Sequence, residues 1–263
     1  MFSNGVYSSR TIDRRKSLMA GDGLLRCSRY AFGPNRLHYC GPDANQELWS
    51  YIDHEVADPG LEHLLKGFRT MYPYLRLIAD ANGIRDAFDE RVVEAYWIGN
   101  RLLDHVQVQK FYTHLRDEQR LGKRMGWEAV NVLGEKIVRG AVPHHSFHVL
   151  EVWQRTGHLE QEHTLESMDS CRISWGTVSK VDGPHIDVAA ESLILRNGKL
   201  ALGPVMNKRI VRSLGAEHDI ESLQPGQIIT IHWGVPCEVI TKSQAAELKR
   251  RTLSHIRFAN ETL

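Results

Sequence analysis

The sequence predicts an α+β protein: a mainly helical domain over residues 1–165, then a small antiparallel β-barrel and a closing helix over 170–263. Three observations carry that expectation. Apolar residues recur at intervals of three and four in the first half. From Cys171 onward the pattern changes to short β-rich runs. Turn dipeptides separate those runs, Asn197-Gly198 and Pro225-Gly226 most clearly.

In the helical half, Pro59 stands where a helix can begin. Leu61, Leu64, Leu65, Phe68, Met71, Tyr72 and Leu75 then mark one amphipathic face running towards Asn82-Gly83. A second helix is expected from Asp89 to His105, with Val92, Val93, Tyr96, Trp97, Asn100 and Leu103 on a shared face. A third covers Ser146 to Arg155, where Phe147, Leu150 and Trp153 keep the spacing.

In the second half the expected strands are Ile173 to Val181, Ile186 to Val188, Leu193 to Leu195, Leu200 to Leu202, Ile228 to Trp233 and Val235 to Thr241. Asn-Gly between apolar runs marks a hairpin, because both residues tolerate positive φ. The last helix is expected from Ser243, as its cap, to about Phe258.

Composition narrows the partners. Of 263 residues, 42% are hydrophobic and 25% charged, and 33 Lys and Arg against 32 Asp and Glu leave a formal charge of +1. Such a balance gives no electrostatic reason to expect nucleic acid or an anionic membrane. No run approaches the roughly 18 apolar residues of a membrane span, and Met1 to Gly21 lacks the apolar core of a secretory signal, so a cytoplasmic location is expected. Cys27, Cys40, Cys171 and Cys237 are far apart and include no C-x-x-C, which argues against a zinc ribbon or a disulfide framework.

Three segments hold chemistry-bearing residues. His38-Tyr-Cys40-Gly-Pro-Asp43 presents an imidazole, a thiol and a carboxylate at one turn. His144, His145 and His148 follow Pro143 closely, so two imidazoles can share a helix face and a metal. The alternative for the histidines is helix capping, and for Cys40 a small buried side chain. Glu94 and Arg101, seven residues apart beside Tyr96 and Trp97, read first as a structural pair. Convergence of Cys40 with His144, His145 and His148 in one metal-binding pocket is the expectation that follows.

Two further segments carry a resemblance. One is Cys171-Arg-Ile-Ser-Trp-Gly176-Thr-Val178. The other is Leu223-Gln-Pro-Gly-Gln-Ile-Ile-Thr-Ile-His232-Trp-Gly234-Val-Pro-Cys237-Glu-Val-Ile-Thr241, leading to Ala245-Ala246-Glu247. In this order they resemble the signatures of the HypC/HupF family of nickel–iron hydrogenase maturation chaperones: a cysteine five residues before a glycine, then a strand ending in His-x-Gly. The likeness covers roughly the last third of the chain.

It implies an OB-like barrel and an iron ligand at Cys171, the iron bearing cyanide and carbonyl. The partners implied are a HypD-like maturation protein and the hydrogenase large-subunit precursor. The sequence departs from the family in three ways. Cys171 is internal rather than next to an initiator methionine, Trp175 replaces the usual proline, and Ser192 to Ala216 is inserted. Cys171 as a small apolar residue at a domain edge is the alternative.

Two other functions stay open. One is a metal-dependent oxidoreductase or hydrolase using Cys40, Glu94, His144, His145 and His148. The other is a docking scaffold without metal.

Overall fold

The computed structural model describes residues 23–153, 164–211 and 223–263. The chain opens with α1 (Gly23–Arg36), whose residues are buried nearly all round because the helix is wedged between other helices and the sheet. Next come α2 (Asn45–Asp53), α3 (Pro59–Lys66), α4 (Met71–Ala81) and α5 (Glu90–Trp97). The single helix expected from Pro59 is two helices, parted at Gly67 to Thr70. Asp58 caps the first by accepting hydrogen bonds from the Gly60 and Leu61 amides.

The helix expected to reach His105 ends at Trp97, and a 3₁₀ turn, Arg101–His105, follows. Asn100 caps that turn by accepting from the Leu102 amide. Shorter elements continue the helical layer: α6 (Val108–Thr113), a π turn (His114–Glu118), α7 (Leu121–Met125) and α8 (Trp127–Val138). Then α9 (His145–Phe147) runs on as a second π turn, His148–Trp153. The expected end of that helix, Arg155, lies outside the described residues.

After α10 (Leu165–Cys171) the sheet begins: β1 (Ser174–Asp182), β2 (His185–Arg196), β3 (Lys199–Val211), β4 (Ile228–His232) and β5 (Val235–Ile240). All neighbours are antiparallel, in the order β3-β2-β1-β4-β5. The Asn197-Gly198 turn has φ of 53° and 75°, the type I′ conformation that suits a right-twisted hairpin. The separate short strands expected through Ile186 to Leu202 form this one long β2–β3 hairpin. It takes in the described part of the Ser192 to Ala216 insertion, and Ala216 itself lies outside the described residues.

The α+β class holds, but the sheet is open, not closed into a barrel. Its two edge strands, β3 and β5, come near each other without pairing, and each also meets a helix. Asn260, which caps the end of α11 (Lys242–Ala259), brackets Leu200 of β3, donating to its carbonyl at 2.9 Å and accepting from its amide at 2.7 Å. On β5, Glu238 accepts from Tyr30 and Arg26 of α1. The last helix is capped by Thr241 in a box with Gln244, two residues before the expected Ser243.

One apolar cluster joins the helical layer to the sheet and last helix. Tyr30, Tyr74, Tyr96, Trp97 and Phe147 belong to it together with Ile173, Val235, Cys237, Ile240, Leu248 and Phe258. A second cluster of Val178, Ile186, Val188, Leu223, Ile229 and Ile231 fills the curved face of the sheet. At the seam between helices and sheet a cavity opens beside Cys171. No helix among the described residues is long and apolar enough to cross a membrane.

Candidate metal centre

Three backbone arrangements bring the side chains of this cavity together. His232 is the last residue of β4, and Trp233-Gly234 make the tight turn to β5 with φ of 51° and 72°. An aromatic residue at positive φ is strained by about 1–3 kcal/mol. The Trp233 amide donates to the Ser170 carbonyl at 2.8 Å, and its ring stacks on Tyr39 with centroids 4.1 Å apart. Those contacts bind the β4–β5 turn to the end of α10 and to the Cys40 loop.

The Cys40 loop is itself fixed from α1. Asn35 donates to the carbonyls of Cys40 and Pro42 at 2.9 and 2.7 Å. Gly33 lies directly on the strand end, where a Cβ would come within 2.5 Å of the His232 carbonyl oxygen. Only glycine allows that approach.

The resulting cavity has a volume of about 590 Å³ and is lined by Cys40, His145, His148, Cys171 and His232 among aromatic neighbours that include Tyr39, Phe68, Tyr96, Trp97 and Trp233. In its wall, one ligand atom from each of His145, Cys171 and His232 lies within 4.8 Å of the other two. The Cys171 sulfur is 4.0 Å from Nε2 of His145. Tetrahedral coordination by two imidazoles and a thiolate sets the donors about 3.3–3.6 Å apart, so the trio closes on an ion with shifts of about 1 Å.

The surrounding hydrogen bonds fit a metal. His232 donates from Nδ1 to the Tyr30 carbonyl at 2.7 Å, which fixes the ring and turns the lone pair of Nε2 inward. That Nε2 is buried beside the Cys171 backbone and forms no hydrogen bond of good geometry there. A bound ion would give it a stronger partner. His145 places Nε2 2.9 Å from the Cys171 carbonyl and Nδ1 3.2 Å from the Tyr96 hydroxyl. As a ligand through Nε2 it would instead donate from Nδ1 to Tyr96, a change of tautomer that the hydroxyl accommodates.

Burial sets the protonation. It holds the His232 imidazole down at about 4 and His148 at about 3, the latter helped by the Arg124 charge. His145 lies well below its ordinary value, again from burial first and then from His232 and His148. The same burial pushes the Cys40 thiol up to about 11 and the Cys171 thiol higher still, Cys40 adding to the latter. Near neutral pH the site is thus three neutral imidazoles and two thiols, ready for a cation that displaces a thiol proton.

The residues singled out from sequence divide into two groups. Cys40, His145, His148 and Cys171 line the cavity. His144 does not: it caps α9, accepting from the Ser146 amide at 3.0 Å, and meets Ser146 Oγ at 2.7 Å, which in turn meets His255. The pairing of His144 with His148 on one metal is therefore corrected, because the first ring is committed to the helix start. His38 and Asp43 form an exposed pair 3.3 Å apart outside the lining.

Glu94 does not pair with Arg101. It binds Arg26 at 3.2 Å and Gln244 at 2.9 Å, while the 3₁₀ turn carries Arg101 to the surface. Cys171, expected at the start of the first strand, ends α10 instead, half-buried with its side chain on the cavity. Cys237 is buried in β5. His232 was not singled out as a ligand, although the His-x-Gly of the second segment was the signal available.

Compared with known proteins, the chain matches a family of unknown function, DUF6390, over residues 19–263. It belongs to DUF6390. No curated protein and no solved structure matches this DUF6390 chain. The matched span includes every residue of the His145, Cys171 and His232 trio as well as Cys40.

Proposed function

We propose that this DUF6390 protein is a metal-holding accessory protein. Its trio of His145, Cys171 and His232 holds a transition ion, and the protein serves nickel–iron hydrogenase maturation by carrying or escorting an iron fragment. One observation supports it most: the two segments that resemble the HypC/HupF signatures contribute Cys171 and His232 to a single ligand group. A thiolate with two imidazoles suits iron or zinc, and three protein ligands leave a tetrahedral position open for a cargo ligand or a partner's donor.

In this reading the ion is cargo, iron carrying cyanide and carbonyl. The acceptor is a hydrogenase large-subunit precursor, and the donor a HypD-like protein in the cytoplasm. Cys171 supplies the thiolate, His232 and His145 the neutral imidazoles, and Trp233 on its strained turn holds the strand end against α10. A second reading, a metal-dependent enzyme, is favoured by the extent of the cavity beyond the trio and by His148 on its wall.

The test is metal analysis of full-length protein purified without oxygen, with infrared spectroscopy. About one iron per chain with cyanide or carbonyl bands, lost in Cys171→Ser and His232→Ala, supports the carrier. Metal without such bands, lost in the same variants, supports the enzyme. A folded chain that neither retains metal nor takes up iron(II), zinc(II) or cobalt(II) overturns both.

A further inference from the structure

The cavity is larger than an ion requires. About 590 Å³ is the size of a small-molecule site, whereas an ion and its donors occupy only the wall formed by His145, Cys171 and His232. Its lining residues include two guanidinium groups, Arg69 and Arg124, and no Asp or Glu. Both arginines are exposed at the opening, and neither forms an ion pair among the described residues.

Buried Gln119 donates to the Thr70 carbonyl at 3.1 Å beside Arg69, and Arg124 stands on α7. Inside, His148 stays neutral through the ordinary pH range, so it hydrogen-bonds without adding charge, and its Nδ1 is buried without a partner. A negatively charged group entering here meets two cations, a neutral donor or acceptor, and the open coordination position, with no carboxylate to repel it.

We propose that this cavity binds a small oxyanion, carboxylate or phosphate, between Arg69 and Arg124 on one side and the metal held by His145, Cys171 and His232 on the other. The inference rests on the metal reading and adds to it the chemical class of the second ligand. An oxyanion supplies the remaining donor to the ion, and the guanidinium groups neutralise the charge left over.

The test uses the full-length protein loaded with cobalt(II), whose visible bands report coordination and whose thiolate charge-transfer band reports Cys171. Acetate and inorganic phosphate are the probes, with acetamide as the uncharged control. Saturable band changes with either anion, weakened about tenfold or more in the R69A/R124A double variant, are the expected result. Acetamide acting as strongly as acetate, an undiminished response in the double variant, or no response to either anion overturns the proposal while the charge-transfer band persists. Loss of that band in the unmodified protein sinks the metal reading itself, and this one with it.

Discussion

His232 and Tyr30, 202 residues apart, share a 2.7 Å hydrogen bond from the ring Nδ1 to the backbone carbonyl. Through it the first described helix decides which nitrogen of the strand-end histidine faces the cavity. Because the acceptor is main chain, no side-chain change at Tyr30 removes it. The orientation of His232 is thus a property of the packing of α1 on β4.

The other histidine of the trio depends on a side chain. Tyr96→Phe removes the hydroxyl that faces Nδ1 of His145 at 3.2 Å. Loss of such a supporting partner lowers metal affinity by about 10- to 100-fold. Competition with a chromophoric chelator measures it, and an unchanged affinity would mean that His145 does not ligate through Nε2.

Metal binding should strengthen with rising pH across the neutral range, with close to one proton released per ion. The titrating group is the Cys171 thiol, which burial holds protonated, not the imidazoles, which burial holds neutral down to about 4 and lower. From sequence alone the imidazole value of about 6.5 sets the expected loss of metal. Burial moves the imidazole contribution out of that range. Affinity flat from pH 6 to 8 would exclude Cys171 as a ligand.

Stability of the metal-free protein should fall as pH drops from about 6.5 towards 4. His114, His144, His148 and His232 have folded values of about 3–4, all lowered by burial. The unfolded chain takes up protons below 6.5 while the folded chain does not, so the unfolded state gains. Each such histidine contributes about 1.4 kcal/mol per pH unit within that window and nothing above it. Melting temperatures at pH 7.5, 6 and 5 test this, and equal values at the three would show the imidazoles to be solvated.

Gly33→Ala should damage the site from outside it. The added methyl carbon meets the His232 carbonyl oxygen at 2.5 Å, so α1 and β4 must separate. Overpacking of this kind costs about 1–3 kcal/mol. Metal affinity should drop along with the melting temperature. Alanine at Gly83, where a Cβ meets nothing within 4 Å but φ is +66°, is the control: some stability is lost and affinity is kept.

What could be read in the sequence was local. Apolar spacing found α3, α4 and α5, and Asn197-Gly198 found the hairpin, because those signals lie within a few residues of what they specify. α1 shows no clean apolar spacing because its buried side carries Arg26, Ser28 and Asn35, and it holds Pro34 near its end. Gly67 to Thr70 split a continuous apolar pattern because Gly67 and Phe68 close the end of α3 with 3₁₀-type bonds to Leu64 and Leu65. The open sheet has no local signal either: the partners of Asn260 on β3 and of Glu238 on β5 are set by tertiary packing.

The site was legible in part, for the same reason. A thiol at Cys40 and imidazoles at His145 and His148 stand out as residue types, yet nothing local says that His144 turns back to cap its own helix. His232 sits in an apolar strand run, where its neighbours suggest a core position. Its orientation in the trio follows from the Tyr30 carbonyl, on a helix without clean apolar spacing.

The Trp233-Gly234 turn has a consequence for when the protein can acquire metal. Cys171 and His145 leave the ribosome well before His232, and the two alone offer a thiol and an imidazole already engaged with a backbone carbonyl. The third donor takes its place only after β4 has paired with β1 and the turn has docked on Ser170 and Tyr39. Contacts so distant in sequence form late, once the entropy of closing the long intervening loops has been overcome. On the proposed metal reading, loading is then post-translational: a nascent chain offers an incomplete chelate, and a finished one would take its ion from whatever the cell supplies at that moment.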